Sequence, residues 1–555
     1  MIGTSVWELV FIRACIFVIQ YSLLLSGCIT AILFATQGTT IAFWIFCSLF
    51  ALDALYGVFL YLPFKVRLSR AANHPELLTR PERDALFHQC WVNIPDPERY
   101  LRLWFLDGNP AEIKRDNVKE LFLWAFFDRG IVSAVADDER DQRLNTEAPE
   151  TIEEELEEYL VRTEELLGRP LEPGRGTAVP LRLTIDVIET RYRSLWWYAV
   201  VGLVDFGTYF FLIRHGFEFH CPPVRKALNV FPLRAPALLP TLPGKLRRLK
   251  APSASSEVSY WYRPHTSPDT LPVLFIHGIG IGLHPYTKFL SEIPADTGVI
   301  ALEILPISMR LCSAPLSKPE FLRHVQRILS HHGWDRFAIV SHSYGSVLTT
   351  HILRSAELGP RAEAVVLVDP VSLLLHLPDI AYNFTRRRPR RANEWQLWYF
   401  ASMDPGTALA LGRHFFWRQN LIWKEELVAL PLGGSDADGG SYSGDAAASE
   451  GTRTQVQTQT RAGQQKRKVA VCLSGRDLIV DTLSVARYLV ADGELSHLET
   501  HNENELARLL TGEENCVTRL GIEVLWFPPL DHSQVFDGEK DRERVLDVVR
   551  RFCAV

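Results

Sequence analysis

Residues 337–345 of this 555-residue chain read FAIVSHSYG, an apolar run followed by a serine, Ser343, that has small residues two positions away on either side. The first four residues have the composition of a buried strand, and residues 346–356 (SVLTTHILRSA) have that of a helix. Ser343 would then occupy a tight strand-to-helix turn, where the residues two positions away must be small. Gly345 meets that need, and Ser341 replaces the more usual glycine. The stretch predicts a nucleophile elbow with Ser343 as the nucleophile.

The segments around this turn alternate short apolar runs with helical patterns. Apolar runs at 271–276 (LPVLFI) and 298–305 (GVIALEIL) precede it, and runs at 468–474 (KVAVCLS) and 522–527 (IEVLWF) follow it. Such alternation is typical of a mostly parallel sheet with flanking helices. We therefore predict an α/β domain over residues 257–555.

A nucleophilic serine needs a base and an acid, which follow it along the chain in this arrangement of elements. Asp477 comes just after the run that ends at residue 474, and His532 comes just after the last run. We predict Ser343 as nucleophile, His532 as general base and then acid, and Asp477 as the group that orients the imidazole.

Alternatives exist for both partners. Asp369 directly follows the apolar run 364–368 and is an alternative acid. His497 and His501 are alternative bases, but no strand precedes them. Asp531, beside His532, is expected to be structural.

An oxyanion hole needs two backbone N–H donors. We predict Tyr344, directly after the nucleophile, and Ile279, which follows His277-Gly278. His277 itself is expected to support the loop. No cofactor or metal site is expected, because the nine cysteines include no C-x-x-C pair.

Four short motifs stand in a characteristic order: HGIG (277–280), SHSYG (341–345), SGRD (474–477) and DHSQVF (531–536). With them, residues 257–555 resemble the α/β-hydrolase fold superfamily of serine hydrolases. The whole chain, with its segment IPDPERYLRLWF (94–105), resembles membrane-anchored α/β-hydrolases of fungi. The resemblance implies hydrolysis of an ester, thioester or amide, but no particular substrate.

The N-terminal part carries two apolar stretches that are each long enough to cross a bilayer. Residues 14–36 contain no charge, and residues 41–63 contain only Asp53. Their short link predicts a transmembrane helical hairpin within residues 1–70. The basic residues flank the outer ends of the hairpin, which predicts that both ends, and the catalytic domain, face the cytosol. Asp53 is either functional or paired within the helices.

A third apolar stretch, residues 195–213, either spans the membrane or lies at its interface. The following residues, 222–250, are basic and contain no acid, which favours the interfacial alternative. The remaining predicted segments are a helical membrane-proximal region (71–135), an acidic linker or charged helix (136–180), the third apolar segment with a basic Pro-rich linker (181–256), an aromatic cap (371–432) and a disordered insertion (433–466).

These patterns predict an integral membrane serine hydrolase that cleaves an ester or thioester of an apolar, lipid-like substrate through an acyl-enzyme. Acyl transfer by the same triad and a catalytically silent membrane scaffold are the alternatives. The expected partners are a lipid membrane and an apolar ester. The net charge of −6 argues against a nucleic acid partner, and no pattern indicates an oligomeric state.

Overall fold

The computed structural model describes residues 2–130, 149–241, 244–430, 466–491 and 516–555. The predicted insertion 433–466 lies outside these ranges except for its last residue. The alternative bases His497 and His501 also lie outside them.

Two helices, α1 (Val6–Gln37) and α2 (Ile41–Leu68), form the N-terminal hairpin. These helices are long and apolar enough to cross a membrane, and most of their side chains are exposed in the protein itself. A continuous apolar surface of this kind indicates contact with lipid.

Asp53 lies buried within α2 and has three hydrogen-bond partners. Its carboxylate accepts bonds from the Ser22 hydroxyl at 2.8 Å, the Tyr192 hydroxyl at 3.0 Å and the Leu195 backbone N–H at 2.7 Å. These bonds join α1, α2 and the start of α7 (Leu195–Arg214). They favour the hypothesis that Asp53 is paired within the helices.

A helical unit follows the hairpin and has its own apolar core. It consists of α3 (Arg80–Trp91), α4 (Pro97–Trp104), α5 (Arg115–Phe127) and α6 (Pro149–Leu167). Helix α6 falls in the segment predicted as an acidic linker or charged helix, and it is a packed helix rather than a linker.

The acidic helix α6 is held by a buried apolar face and a buried ion pair. Leu156, Tyr159 and Leu160 are fully buried, at the spacing that places them on one side of a helix. Glu155 forms two hydrogen bonds with Arg83, of 2.7 and 2.6 Å, and both side chains are 1% exposed. Pairing of the Glu155 charge therefore allows the acidic helix α6 to pack into the core of the helical unit.

The C-terminal part of the chain is built on one ten-stranded sheet. The strands are β1 (Glu218–Cys221), β2 (Ala251–Pro252), β3 (Ser259–Arg263), β4 (Val273–Ile276), β5 (Val299–Glu303), β6 (Phe337–His342), β7 (Ala362–Val368), β8 (Lys468–Ser474), β9 (Cys516–Val517) and β10 (Ile522–Phe527). Their order is β2-β1-β3-β5-β4-β6-β7-β8-β10-β9, and the run from β5 to β10 is parallel. The sheet starts before residue 257, since β1 and β2 lie in the segment 181–256, which was predicted to hold the third apolar stretch and a linker.

Helices cover both faces of this sheet, which explains why its strands are unbroken apolar runs. In β4, Val273 and Phe275 face one core, while Leu274 and Ile276 face the other. The flanking helices are α8 (Thr287–Glu292), α9 (Lys318–His331), α10 (Gly345–Leu353), α15 (Thr482–Val490) and α16 (Glu539–Cys553). This is the predicted α/β-hydrolase fold.

A helical stretch stands between β7 and β8, where the cap was predicted. It contains α11 (Pro378–Thr385), α12 (Ala392–Gln396, continued by a π-helical turn Leu397–Ser402), α13 (Pro405–His414) and α14 (Lys424–Val428). Helix α12 packs on the apolar helix α1: Ile12 and Ile16 share a buried cluster with Ala392 and Tyr399. The cap segment is thus in direct contact with the hairpin.

Candidate active site

Ser343 lies at the turn between β6 and α10 with a φ of +50°, a conformation that L-residues rarely adopt. Its backbone N–H donates to the Val368 carbonyl at 2.9 Å, which holds the turn. A Cβ at Gly345 would lie 2.3 Å from the Ile276 carbonyl oxygen, and one at Gly278 would lie 2.8 Å from the Ser343 Cβ. The strained turn therefore depends on glycine at both positions.

Ser341 fills the position where the elbow usually has glycine. Its side chain is fully buried, and its hydroxyl accepts a 2.9 Å hydrogen bond from the Thr349 hydroxyl on α10. This partner satisfies the extra oxygen, so the serine is accommodated without an unpaired buried group.

The structure brings together the three residues predicted as the triad. His532 Nε2 lies 2.9 Å from Ser343 Oγ, and His532 Nδ1 lies 2.6 Å from Asp477 Oδ2. The second oxygen of Asp477 accepts from the backbone N–H groups of Ile479 and Val480 at 2.7 and 2.9 Å. The carboxylate is fully buried and fixed, so it can hold the imidazole with Nε2 toward the serine.

The alternative acid, Asp369, serves other groups. Its carboxylate accepts from the backbone N–H and hydroxyl of Ser474 at 2.8 and 3.0 Å, and from the Ser533 backbone N–H at 2.9 Å. It therefore ties the end of β8 to the loop that carries His532. Burial, and next the charge of Asp477, raise the pKa of Asp369 to about 6.

The charge balance around His532 favours its protonated form. Burial alone would lower the pKa of His532, but the carboxylates of Asp477, Asp369 and Asp531 outweigh it and raise the pKa to about 9. A base in this environment removes a proton readily once it is neutral.

Asp531, which was expected to be structural, holds three segments together by hydrogen bonds. Its carboxylate accepts from the backbone N–H groups of Leu478 and His532 at 3.0 and 2.7 Å, and from the Asn393 side-chain amide at 2.8 Å. It thus links the acid loop, the base loop and the cap segment. Arg387 adds a second link from the cap, donating to the Leu478 carbonyl at 2.9 Å.

The two predicted oxyanion donors, Ile279 and Tyr344, both line the cavity beside Ser343. Neither backbone N–H donates a hydrogen bond to a described residue. His277 supports their loop: its Nδ1 lies 2.7 Å from the Gly278 carbonyl, and its Nε2 accepts from the Ile304 N–H at 2.9 Å. Burial lowers the pKa of His277, so it is a neutral buttress.

His342, which the sequence analysis did not single out, lies directly behind the base. Its ring centroid is 5.0 Å from that of His532, and its Nδ1 is 2.8 Å from the Tyr286 hydroxyl. Burial, and then the charge of His532, hold its pKa well below the usual range. The imidazole is therefore neutral packing for the triad.

Donor atoms of His342, Asp369 and His532 lie within 4.8 Å of one another. Both nitrogens of His532 already contact triad partners, and the oxygens of Asp369 accept three hydrogen bonds. This arrangement is suited to a hydrogen-bonded triad and offers no free set of metal ligands.

A small apolar cavity of about 50 Å³ adjoins Ser343. The cap segment supplies Phe384 and Phe415, but Trp104 and Trp124 come from the helical unit near the N-terminus. Nothing in the local sequence around these tryptophans indicates that they reach the nucleophile. The cavity is therefore closed by the cap, which is inserted between β7 and β8, and by the helical unit that precedes the sheet.

No protein-family model and no curated protein matches the sequence. Among solved structures, the chain is similar to a bacterial membrane phospholipase A described as a virulence factor, with 12% identity and a TM-score of 0.33, over 64% of this chain and 92% of that one. It is also similar to the carboxylesterase CesB from Bacillus subtilis (10%, 0.30, 63% and 98%) and to a thermophilic esterase from Thermogutta terrifontis (11%, 0.32, 54% and 95%). At these scores the likeness adds nothing to the strand order and site geometry described above.

Proposed function

We propose that the protein is a membrane-anchored serine hydrolase that cleaves an ester or thioester of an apolar acyl group. The observation that carries the proposal is the chain of contacts from Asp477 through His532 to Ser343, at 2.6 and 2.9 Å, on a strained elbow. A silent scaffold would not need to retain this arrangement or its strain.

The proposed reaction follows from the positions of these groups. Neutral His532 takes the proton of Ser343 as its Oγ bonds to the acyl carbon, and the N–H groups of Ile279 and Tyr344 stabilise the oxyanion. The C–O or C–S bond to the leaving group then breaks, and His532 supplies the proton to that group. Water, activated by the same imidazole, bonds to the acyl carbon and frees Ser343 together with a carboxylic acid.

An apolar acyl chain is favoured because the cavity beside Ser343 is lined almost entirely by apolar side chains. The cap contacts the membrane hairpin, where the Arg13 guanidinium lies 4.3 Å from the centre of the Trp395 ring. A lipid-like ester in the bilayer would therefore meet the cap before it meets Ser343.

The substrate class is tested with p-nitrophenyl esters of two to sixteen acyl carbons, added to the full chain in lipid nanodiscs. We expect kcat/KM to rise from the acetate up to the chain length that the apolar cavity beside Ser343 can hold. Ala381→Trp, which fills the cavity, should lower kcat/KM for the longest efficient ester at least about tenfold more than for the acetate, in keeping with the size of a buried apolar contact. Ala111→Trp, at an exposed site, is the matched control.

Equal kcat/KM across the series, or equal losses in both variants, would argue against an apolar acyl site. Adding an alcohol acceptor distinguishes the remaining alternative: a new ester formed faster than the free acid would identify acyl transfer in place of hydrolysis.

We propose that α7 lies along the membrane interface and that the catalytic domain faces the cytosol. Asp205 on α7 pairs with Arg234 at 3.0 Å and with Arg310 at 2.8 Å, and Arg234 also pairs with Glu303 of β5. These ion pairs attach α7 to the sheet. Its other face exposes five large apolar side chains, Trp196, Val200, Leu203, Phe206 and Phe210, and ends at the exposed Arg214. A helix with one face on the domain and one apolar face outward suits an interface.

The orientation is tested by adding one cysteine at a time to the chain and labelling it with a membrane-impermeant maleimide in sealed, cytosol-outward vesicles. Asp335→Cys, on the exposed surface of the catalytic domain, should be labelled in intact vesicles. Thr39→Cys, in the link of the hairpin, should be labelled only after detergent is added. The unmodified chain gives the background, and the reverse pattern would refute the cytosolic orientation.

A further inference from the structure

A second and much larger cavity, of about 630 Å³, adjoins the catalytic one. Tyr344, the residue after the nucleophile, lines both cavities. Cavities that bind organic ligands commonly have volumes of about 300–1,000 Å³, so the larger one has the size of a ligand site. The proposed reaction does not use it.

One wall of this larger cavity is a single face of α10. Tyr344, Val347, Leu348 and His351 are spaced three or four residues apart, so they lie in a row. The row is about 10 Å long at the rise of an α-helix. Apolar side chains on other elements complete the wall: Val258, Leu305, Leu316 and Phe321. Together these side chains form an apolar strip in the cavity, here called the chamber, which polar side chains also line.

Lys318 lines the same cavity and has no carboxylate partner among the described residues. Burial, and then the charge of Arg354, lower the pKa of Lys318. The nearby carboxylate of Glu426 is already bonded to Arg354, at 2.8 and 2.9 Å. The cavity therefore offers one ammonium group that lacks a counter-charge.

The other charged groups at this cavity are engaged. Arg234 pairs with Glu303 at 2.6 Å, and Lys226 pairs with Glu257 at 2.6 Å. Glu320 accepts hydrogen bonds from the backbone and hydroxyl of Ser317 at the start of α9. Among the described residues, Lys318 is thus the one lysine or arginine at this cavity that has no carboxylate partner, and the apolar row of α10 lines the same cavity.

We propose that this cavity binds a single-chain amphipathic anion of the fatty-acid type. The alkyl chain would lie along the α10 row toward Tyr344, and the carboxylate would pair with Lys318. This site goes beyond the proposed hydrolase activity, because its ligand need not react. An occupant would touch Tyr344 and so bear on the turn that presents Ser343.

The site is tested by photo-crosslinking the full chain, in phosphatidylcholine nanodiscs, with a diazirine analogue of palmitate. We expect saturable labelling of peptides that carry Val347, Leu348 or Phe321. Leu348→Trp, which fills the chamber, should lower this labelling at least about tenfold, and Val347→Phe provides a second filling variant if the first fails a thermal unfolding control. Labelling confined to α1, α2 and α7, or unchanged in both filling variants, would overturn the proposal.

The role of the Lys318 ammonium group is tested by comparing Lys318→Met with Lys288→Met. Lys288 is an exposed lysine outside the cavity. We expect Lys318→Met to weaken labelling by the palmitate probe about tenfold and to leave labelling by a diazirine analogue of hexadecanol unchanged. Unchanged palmitate labelling, or an equal loss with both probes, would refute the proposal that the ligand is an anion.

Ser343→Ala separates this site from the catalytic one. Palmitate labelling of the large cavity should persist in that variant whether or not the protein is a hydrolase. Loss of labelling there would place the ligand at the nucleophile and refute a second site, whereas failure of ester hydrolysis alone would leave the binding result standing.

Discussion

Replacing Ser343 with alanine is expected to abolish ester hydrolysis and labelling by a fluorophosphonate probe. The variant removes the hydroxyl that lies 2.9 Å from His532 Nε2 and keeps the backbone and the Cβ. Loss of a triad nucleophile lowers kcat by roughly 10⁶-fold in serine hydrolases where it has been measured. The measurements are kcat with the best p-nitrophenyl ester and gel fluorescence of the labelled protein in membranes.

Ser355→Ala is the matched control, because this serine lies just beyond α10 and outside the site. It should label like the unmodified chain. Persistent labelling of Ser343→Ala at the same rate would mean that another residue attacks the probe. Absence of labelling in the unmodified chain, where other serine hydrolases react, would contradict the enzymatic proposal itself.

The order of the catalytic elements could be predicted because each has a local signature. A buried parallel strand is a short apolar run, and a strained turn needs small neighbours, so Ser343, Asp477 and His532 stand out from their immediate surroundings. The strand bounds shift by only a residue or two between the predicted runs and the sheet. The positions of the strands and of the three residues can therefore be predicted from the local sequence alone.

Contacts between distant segments could not be predicted in this way. Trp104 and Trp124 line the cavity beside Ser343, although more than 200 residues separate them from it. Asn393 and Arg387 hold the loops of the triad from the cap, and each is an ordinary polar residue in its own stretch. The sequence left α6 open between a linker and a charged helix, because the ion pair that lets it pack needs a partner on α3.

Asp477→Asn is expected to lower kcat by about 10⁴-fold, with little change in KM. An amide at this position can no longer hold His532 as the tautomer that accepts the serine proton. Its charge also no longer stabilises the imidazolium that forms in the transition state. The measurement is steady-state hydrolysis of the best p-nitrophenyl ester, with intact folding checked by thermal unfolding.

Asp369→Asn separates the two candidate acids, since Asp369 bonds to Ser474 and Ser533 but not to the imidazole. We expect it to keep kcat within about tenfold of the unmodified enzyme at its optimal pH, well short of the loss of a triad acid. A 10⁴-fold loss in Asp369→Asn with a mild effect in Asp477→Asn would reverse the assignment.

The pH profile gives these variants a second signature. His532 acts as a base only when neutral, so kcat/KM should rise with pH to a midpoint near its pKa of about 9. Asp369 is ionised at that pH, and its negative charge helps to raise the pKa of His532. Removing this charge destabilises the imidazolium, so the midpoint in Asp369→Asn should move to lower pH. Asp335→Asn removes an equal charge at a site that is 96% exposed, and should leave the midpoint in place; an equal shift in both variants would show that the carboxylate behind the base has no specific effect.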